Sequence, residues 1–302
     1  MGSDASVPFV SVVIPVYNDT GRLKKVLSAL RRQTYPKERY EVIVSDNAST
    51  EDVRSVTGQF PGVVYTYEAK RGPAAARNKG IRTAKGEIIA FTDSDCEPAV
   101  DWLEKGVQAV LRDPECGFVG GEIETFFKDP KRPRAVEILN QSYFKQKELV
   151  ENRGFAATAN LLTRRDVFQA VGVFNETFLF PACEDREWGE RVTESGRRGV
   201  YAEDAVVRHP LRHSLKDLYR QVAHLTLGNF HYEKIKGRRS SMKKEWAGFF
   251  RPPVRSARTK LAPVDGVWSK TKLYGVILFS HYTRVLVRVR LKCGWKPKGA
   301  SS

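Results

Sequence analysis

Phe9-Val-Ser-Val-Val-Ile-Pro-Val is an unbroken, β-branched run, and Leu23, Val26, Leu27 and Leu30 follow it at helical spacing. A run that is apolar at every position predicts a strand covered on both faces, as in a parallel sheet. The pattern then repeats. Tyr40-Glu-Val-Ile-Val-Ser reads as a second strand closed by the turn Asp46-Asn-Ala-Ser-Thr, and a third strand is expected at Gly62 to Tyr67. A helix at Ala74 to Ala84 leads into the strand Glu87-Ile-Ile-Ala-Phe-Thr. Strands separated by helices of this length argue for right-handed crossovers and a mostly parallel α/β sheet flanked by helices. Pro15 is expected to end pairing on the first strand. In such sheets ligands collect beyond the carboxyl ends of the strands, so Val16-Tyr17-Asn18, Asp46 and Asp93-Ser94-Asp95 should face one crevice.

Beyond Asp95 the alternation weakens. Helices are expected at Pro98 to Arg112, with Val107, Val110 and Leu111 on the apolar face, at Arg134 to Val150, at Asp166 to Gly172 and at Glu184 to Glu194. Gly117 to Phe127 reads as a strand and Gly154 to Thr163 as extended. Ser214 to Lys236 and Lys270 to Lys292 carry helical patterns, with Pro252-Pro253 breaking the chain between them.

Charge divides the chain more sharply than hydropathy does. Of 302 residues, 51 are Lys or Arg and 35 are Asp or Glu, a net charge of +16. From Ala205 onward there are 22 basic and 4 acidic side chains, so the rest of the chain is near neutral. Such a basic C-terminal region implies a polyanionic partner, a phospholipid surface or nucleic acid among them. Four scattered cysteines without a C-x-x-C pair speak against a disulfide framework or zinc knuckle and for a reducing compartment. The apolar stretch around Leu273 to Phe279 is far shorter than the roughly 20 residues a membrane span needs. No secretory signal opens the chain, while Met1-Gly2-Ser3-Asp4-Ala5-Ser6 fits the loose N-myristoylation pattern.

The candidate chemistry is acidic. Asp93 and Asp95, spaced i, i+2 at a strand end, can converge on one hard divalent cation, or can cap a helix and shape a turn. Glu184-Asp185 opens a helix, where a carboxylate can accept a proton from an attacking hydroxyl or simply favour the helix dipole. His209 can complete a metal's coordination or serve as a hydrogen-bonded structural residue. Arg77 can offer its guanidinium to a diphosphate or lie on a helix surface, and Asp46 can bind a base or close an Asx turn. G-x-G-x-x-G and P-loop devices are absent.

In order along the chain, Val13-Ile-Pro-Val-Tyr-Asn, Val44-Ser-Asp-Asn-Ala-Ser-Thr, Arg71-Gly72 with Ala76-Arg-Asn-Lys-Gly, Phe91-Thr-Asp-Ser-Asp, Leu162-Thr-Arg-Arg-Asp-Val-Phe, Val171-Gly-Val-Phe-Asn-Glu and Glu184-Asp185 resemble family 2 glycosyltransferases of the GT-A fold. The resemblance covers about residues 9 to 230. It implies an inverting enzyme that uses a nucleotide-diphospho sugar, UDP-linked by preference, with Mn2+ or Mg2+. It places Pro15, Tyr17 and Asp46 around the nucleoside, Asp46 on the base. Arg77 would lie by the nucleotide, Asp93 by the ribose or metal, and Asp95 and His209 on the metal. Ser94 and Glu184 complete the nucleotide-sugar set, and Asp185 is the general base. Arg186-Glu-Trp-Gly-Glu-Arg stands where processive members carry Gln-x-x-Arg-Trp, which implies transfer of a single sugar to a glycan or lipid-linked acceptor.

The expected organisation is a GT-A domain at 1–213, with a nucleotide-sugar half at about 9–95 and an acceptor half at 96–213, and a basic, largely helical extension at 214–302. The last helix of the extension is expected either to pack its apolar face on the GT-A body or to attach the enzyme peripherally to the cytoplasmic face of a membrane. Arg284, Arg288 and Lys292 would face the head groups and Leu278, Tyr282, Val285 and Val289 the apolar side. The competing expectation is an inert body whose basic tail, with interleaved aromatics, binds nucleic acid; the intact acidic clusters make nucleic acid the weaker partner.

Overall fold

A computed structural model describes residues 7–238 and 241–297, and the myristoylation pattern at residues 1–6 lies outside the described residues. The first half alternates as the hydropathy predicts: β1 (Val10–Val16), α1 (Thr20–Arg31), β2 (Tyr40–Asp46), α2 (Val53–Gly58), β3 (Val63–Tyr67), α3 (Pro73–Thr83) and β4 (Ile88–Thr92). Next come β5 (Glu97–Pro98), α4 (Trp102–Arg112), β6 (Cys116–Phe126), α5 (Ala135–Gln141), α6 (Gln146–Arg153), β7 (Asn160–Arg164), α7 (Arg165–Val171), α8 (Glu184–Glu194) and β8 (Arg198–Pro210). The chain closes with α9 (Leu215–Ile235), α10 (Met242–Phe250), α11 (Val254–Leu261) and α12 (Val267–Lys292).

One eight-stranded sheet runs in the order β3-β2-β1-β4-β7-β6-β8-β5. β3, β2, β1 and β4 pair in parallel, whereas β7 joins β4 and β6 antiparallel and β5 joins β8 antiparallel. The sheet is therefore parallel in its first half and antiparallel beyond β4. Pro15 does not end pairing on its strand: β1 stays in register with β2 through Val16 and Asp46, and only its pairing to β4 stops at Val13 and Phe91. Pro98 belongs to β5 rather than to a helical first turn, and Leu111 at the end of α4 is exposed. β8 has no counterpart in the sequence analysis. Its inward residues Ala205, Val207 and His209 alternate with charged and half-exposed ones, too short an apolar signal to read beside a basic tract.

The chain forms two compact units. The first comprises residues 1–124, 145–177 and 184–209. Its core holds β-sheet residues Val13, Ile43, Ile89 and Leu161 together with an aromatic cluster. Trp188 of α8 lies at the centre of that cluster, with ring centroids 5.0 Å from Phe168, 5.4 Å from Phe174 and 6.2 Å from Phe118. Phe91 meets Phe174 edge to face at 5.5 Å. This packing anchors α8 in the core of the first unit.

The second unit comprises 125–144, 178–183 and 210–302, so it takes in two stretches the sequence analysis assigns to the acceptor half. The reason is apolar: Val136 and Leu139 of α5 share a core with Leu218 and Val222 of α9, Ala257 of α11, and Leu273 and Ile277 of α12. This also explains why Arg134 to Val150 is two helices. α5 serves the second unit, while Gln146 and Val150 of α6 are buried in the first. Ser214 caps α9 by accepting from the Asp217 amide at 3.1 Å. Among the described residues no helix is long and apolar enough to cross a membrane.

Removing the central ring should be costly. Trp188→Ala is expected to lower stability by about 3–5 kcal/mol, read from the denaturant midpoint, because no neighbour can collapse into the space of a buried indole.

Candidate active site

The loops after β1, β2 and β4 are fastened to one another by side chains. Asn18 has φ 50°, Ala48 φ 57° and, just before α8, Cys183 φ 69°: three non-glycine residues in the left-handed region. Backbone of this kind is uncommon and tends to gather at functional loops. Asn18 Oδ1 accepts from the Thr50 amide at 2.7 Å, and the Ser49 hydroxyl accepts from the Asn18 amide at 3.0 Å. Ser94 donates to Asp19 Oδ2 at 2.7 Å, which ties the β4 loop to the start of α1. Asn47 accepts from the Gly72 amide and donates to the Lys70 carbonyl, holding the entry to α3. Gly72 itself has φ 126°, a conformation that favours glycine.

Arg77 is the hub. Its guanidinium, 5% exposed, donates to Asp93 Oδ1 at 2.9 Å and to Glu184 Oε1 at 2.9 Å. It thereby joins the end of β4 to the beginning of α8. Arg77, expected beside the nucleotide or on a helix surface, is buried, and both of its terminal nitrogens are engaged by carboxylates of the chain. Arg77 Nε and Glu184 Oε2 are buried without a hydrogen-bond partner among the described residues. Burial raises the Glu184 pKa against the opposing pull of Arg77. Asp185, the next residue, is only half-buried, and its Oδ1 accepts from the Arg186 amide at 2.7 Å. Its low-dielectric surroundings, and then the neighbouring Glu184, push its pKa up to about 7.

A second group lies around Asp95. His209 Nε2, at the end of β8, is 3.5 Å from Asp95 Oδ1, and both side chains are nearly buried. Cys96 belongs to the same group, with donor atoms of all three residues within 4.8 Å of one another. Burial, and then Asp95 and Asp93, raise the Cys96 pKa, so sulfur is present as the thiol and is a weak donor. A carboxylate oxygen and an imidazole nitrogen converging at this distance could hold a divalent cation. Asp93 is not in this group; it is turned to Arg77. Arg22 bridges Asp19 at 2.7 Å and Asp95 at 3.3 Å.

The candidate nucleoside residues have other partners. Pro15 is in β1, and exposed Tyr17 just beyond it accepts from Arg71 at 2.8 Å, with that guanidinium 5.0 Å from its ring centroid. Asp46, buried at the end of β2, accepts from the Tyr65 hydroxyl at 2.9 Å and from the Ser49 amide at 3.0 Å. The second contact closes the turn after β2 three residues on, one residue further than in an Asx turn. Sequence reasoning missed Arg22 and Cys96, and placed Asn18, Asn47 and Arg71 in the motif loops without giving them a role. Two signals were available: asparagine is the residue that tolerates the left-handed region, and Cys96 adjoins the Asp-x-Asp pair.

The mixed α/β sheet flanked by helices is the GT-A fold. A mannosyltransferase from Pyrobaculum calidifontis, solved with GDP-Man and Mn2+, superposes at TM-score 0.67 and 19% identity over 97% of this chain and 89% of its own. S. aureus TarS 1–349, solved with UDP, does so at TM-score 0.54 and 14% identity over 96% and 93%. Residues 11–172 match the family described as Glycosyl transferase family 2, and the chain belongs to that family. Glycosyltransferase AglE of Haloferax volcanii is 36% identical over 214 residues, 69% of either chain. The pre-mycofactocin glycosyltransferase of Mycobacterium tuberculosis is 30% identical over 218 residues, which span 69% of this chain but 44% of that protein.

Removal of the hub cation should expose its function. Arg77→Met leaves two carboxylates facing each other and should cost about 3–5 kcal/mol at neutral pH. Without the guanidinium the folded-state pKa of Glu184 rises further above its unfolded value. The deficit, read from denaturation midpoints, should therefore shrink as pH falls and grow as pH rises.

Proposed function

We propose that the enzyme is an inverting glycosyltransferase that moves one sugar from a nucleotide-diphospho sugar to a hydroxyl of a glycan or lipid-linked acceptor. The observation that carries this reading is the placement of Asp185, a half-buried carboxylate beside the Arg77-held Glu184, where burial and Glu184 both raise its pKa. A base with that pKa holds a useful unprotonated fraction at neutral pH and still takes a proton readily. The acceptor oxygen forms its bond to the anomeric carbon while the bond from that carbon to the diphosphate oxygen breaks on the opposite face. The acceptor proton passes to Asp185 and the electron pair leaves with the nucleoside diphosphate. A single displacement gives inversion. Glu184 is committed to Arg77 and serves to position the start of α8.

Asp95 and His209 are the proposed metal ligands, and Mn2+ or Mg2+ held there supplies charge neutralisation for the leaving diphosphate. Asp93, fixed by Arg77, is assigned to the ribose side, with Ser94 setting the loop. Tyr17, Pro15 and Asp46 are assigned to the nucleoside, and UDP is the favoured donor nucleotide. The basic C-terminal region is proposed to attach the enzyme peripherally to the cytoplasmic face of a membrane, where a lipid-linked acceptor would be met. The inert, nucleic-acid-binding alternative has nothing in its favour at the acid cluster, whose buried unsatisfied atoms an inert body has no reason to keep.

Two variants separate metal from base. Asp95→Ala should lose Mn2+-dependent UDP binding while the fold survives; undiminished binding by calorimetry contradicts the ligand assignment. Asp185→Asn should keep donor affinity within a few-fold while transfer from UDP-sugars falls about 10²- to 10⁴-fold. Transfer near the wild-type rate would move the base to another carboxylate.

A further inference from the structure

The helices of the second unit carry large apolar side chains that its core does not use. On α10, Trp246 and Phe250 lie four residues apart on one face and are 50% and 82% exposed. The Trp246 ring centroid is 5.4 Å from that of Phe249, which is 6.2 Å from that of Tyr282 on α12. Leu286, one turn beyond Tyr282, is also exposed. The packing beneath them is already complete. A Cβ on Gly248 would sit 3.0 Å from Val285, and His281 Nε2 lies 2.9 Å from the Gly248 carbonyl. The rings in contact and Leu286 thus form one apolar strip at the surface.

Its border has a single sign. Lys243, Arg251, Arg284 and Arg290 are exposed beside it. α12 contains no Asp or Glu, and the acid of α10, Glu245, is buried and bound by Arg288 at 2.8 Å. Arg288 also binds Glu233 at 2.8 Å, and Val285 is buried, so neither belongs to the head-group or apolar stripe that the helical wheel of α12 suggests. Tyr282 and Leu286 take that place together with α10.

We propose that this strip, formed by α10 and the Tyr282–Arg290 stretch of α12, seats in the head-group layer of an anionic lipid bilayer. Trp, Tyr and Phe rings with a leucine, rimmed by Lys and Arg, match the chemistry of that layer, apolar just below and negative above. Trp246, Phe249 and Tyr282 meet at tilted angles along one strip, which suits a shared apolar insertion better than separate face-to-face stacking on nucleobases. The inference deepens the membrane attachment proposed above and uses none of the catalytic residues.

Co-sedimentation of the full chain, without nucleotide, tests it on phosphatidylcholine vesicles with and without phosphatidylserine. Wild type should pellet with the anionic vesicles and stay in solution with the neutral ones. Trp246→Ser/Phe250→Ser and Arg284→Gln/Arg290→Gln should each lower the apparent partition about tenfold or more, with unchanged thermal melting by circular dichroism. Equal pelleting of the variants and wild type, or equal binding to both lipids, overturns the proposal. So does binding to a single-stranded oligonucleotide by protein that both vesicle types leave in solution. Because no sugar donor is present, these results are independent of whether the transferase mechanism holds.

Discussion

The buried Arg77 guanidinium, shared by Asp93 and Glu184, is the interaction on which the rest of the site depends. Two charges, Arg77 and Glu184, are taken out of water together, with half-buried Asp93 as the second acid, and each hydrogen bond of the guanidinium to an acid is 2.9 Å long. One acid ends β4 and the other opens α8, so the guanidinium fixes where the strand loop and the helix start lie relative to each other. Asp185 inherits its position from that arrangement. It also inherits its raised pKa, since burial in this neighbourhood and the charge of Glu184 both disfavour its ionised form. A salt bridge of this kind is weak evidence for stability but a strong device for geometry.

The parallel half of the fold was legible because β1, β2 and β4 are apolar on both faces, a pattern few other environments allow. The loops that carry Tyr17, Asp46, Asp93 and Asp95 follow directly from that order. The antiparallel half was read less well. β8 is charged along much of its length, and α5 and α6 share one helical pattern although they bury their apolar residues in different units. Side-chain partnership was the least legible layer. A sequence shows that Arg77 follows Gly72 in a helix, but not that its nitrogens reach Asp93 and Glu184, which are 16 and 107 residues away. The grouping of Asp95 with His209 and Cys96, rather than with Asp93, depends in the same way on β8 lying where it does.

The C-terminal charge excess illustrates how composition and structure divide the work. Composition alone indicates a polyanionic partner. The structure adds that part of this charge is neutralised within the unit, by Arg288 on Glu233 and Glu245, and that Lys243, Arg251, Arg284 and Arg290 are exposed on the helices that carry the exposed aromatics or next to them. A soluble surface has no need of a phenylalanine that is 82% exposed. The unit nevertheless has a core of its own from α5, α9, α11 and α12, so its charged face is a feature of a folded body rather than of a loose tail.

The central claim is that Asp185 is the base and that its surroundings place its pKa near neutrality. The most direct measurement is the pH dependence of kcat/KM for sugar transfer in wild type and in Asp185→Asn. The base must be unprotonated to act, and burial has raised its pKa, so activity should rise about tenfold per pH unit on the acid side, bend near pH 7 and level above it. As the carboxylates interact, the apparent value belongs to the Glu184–Asp185 pair. The residual rate of Asp185→Asn should lack this limb. A wild-type profile that is flat through this range, or a limb that survives unchanged in Asp185→Asn, would contradict the account.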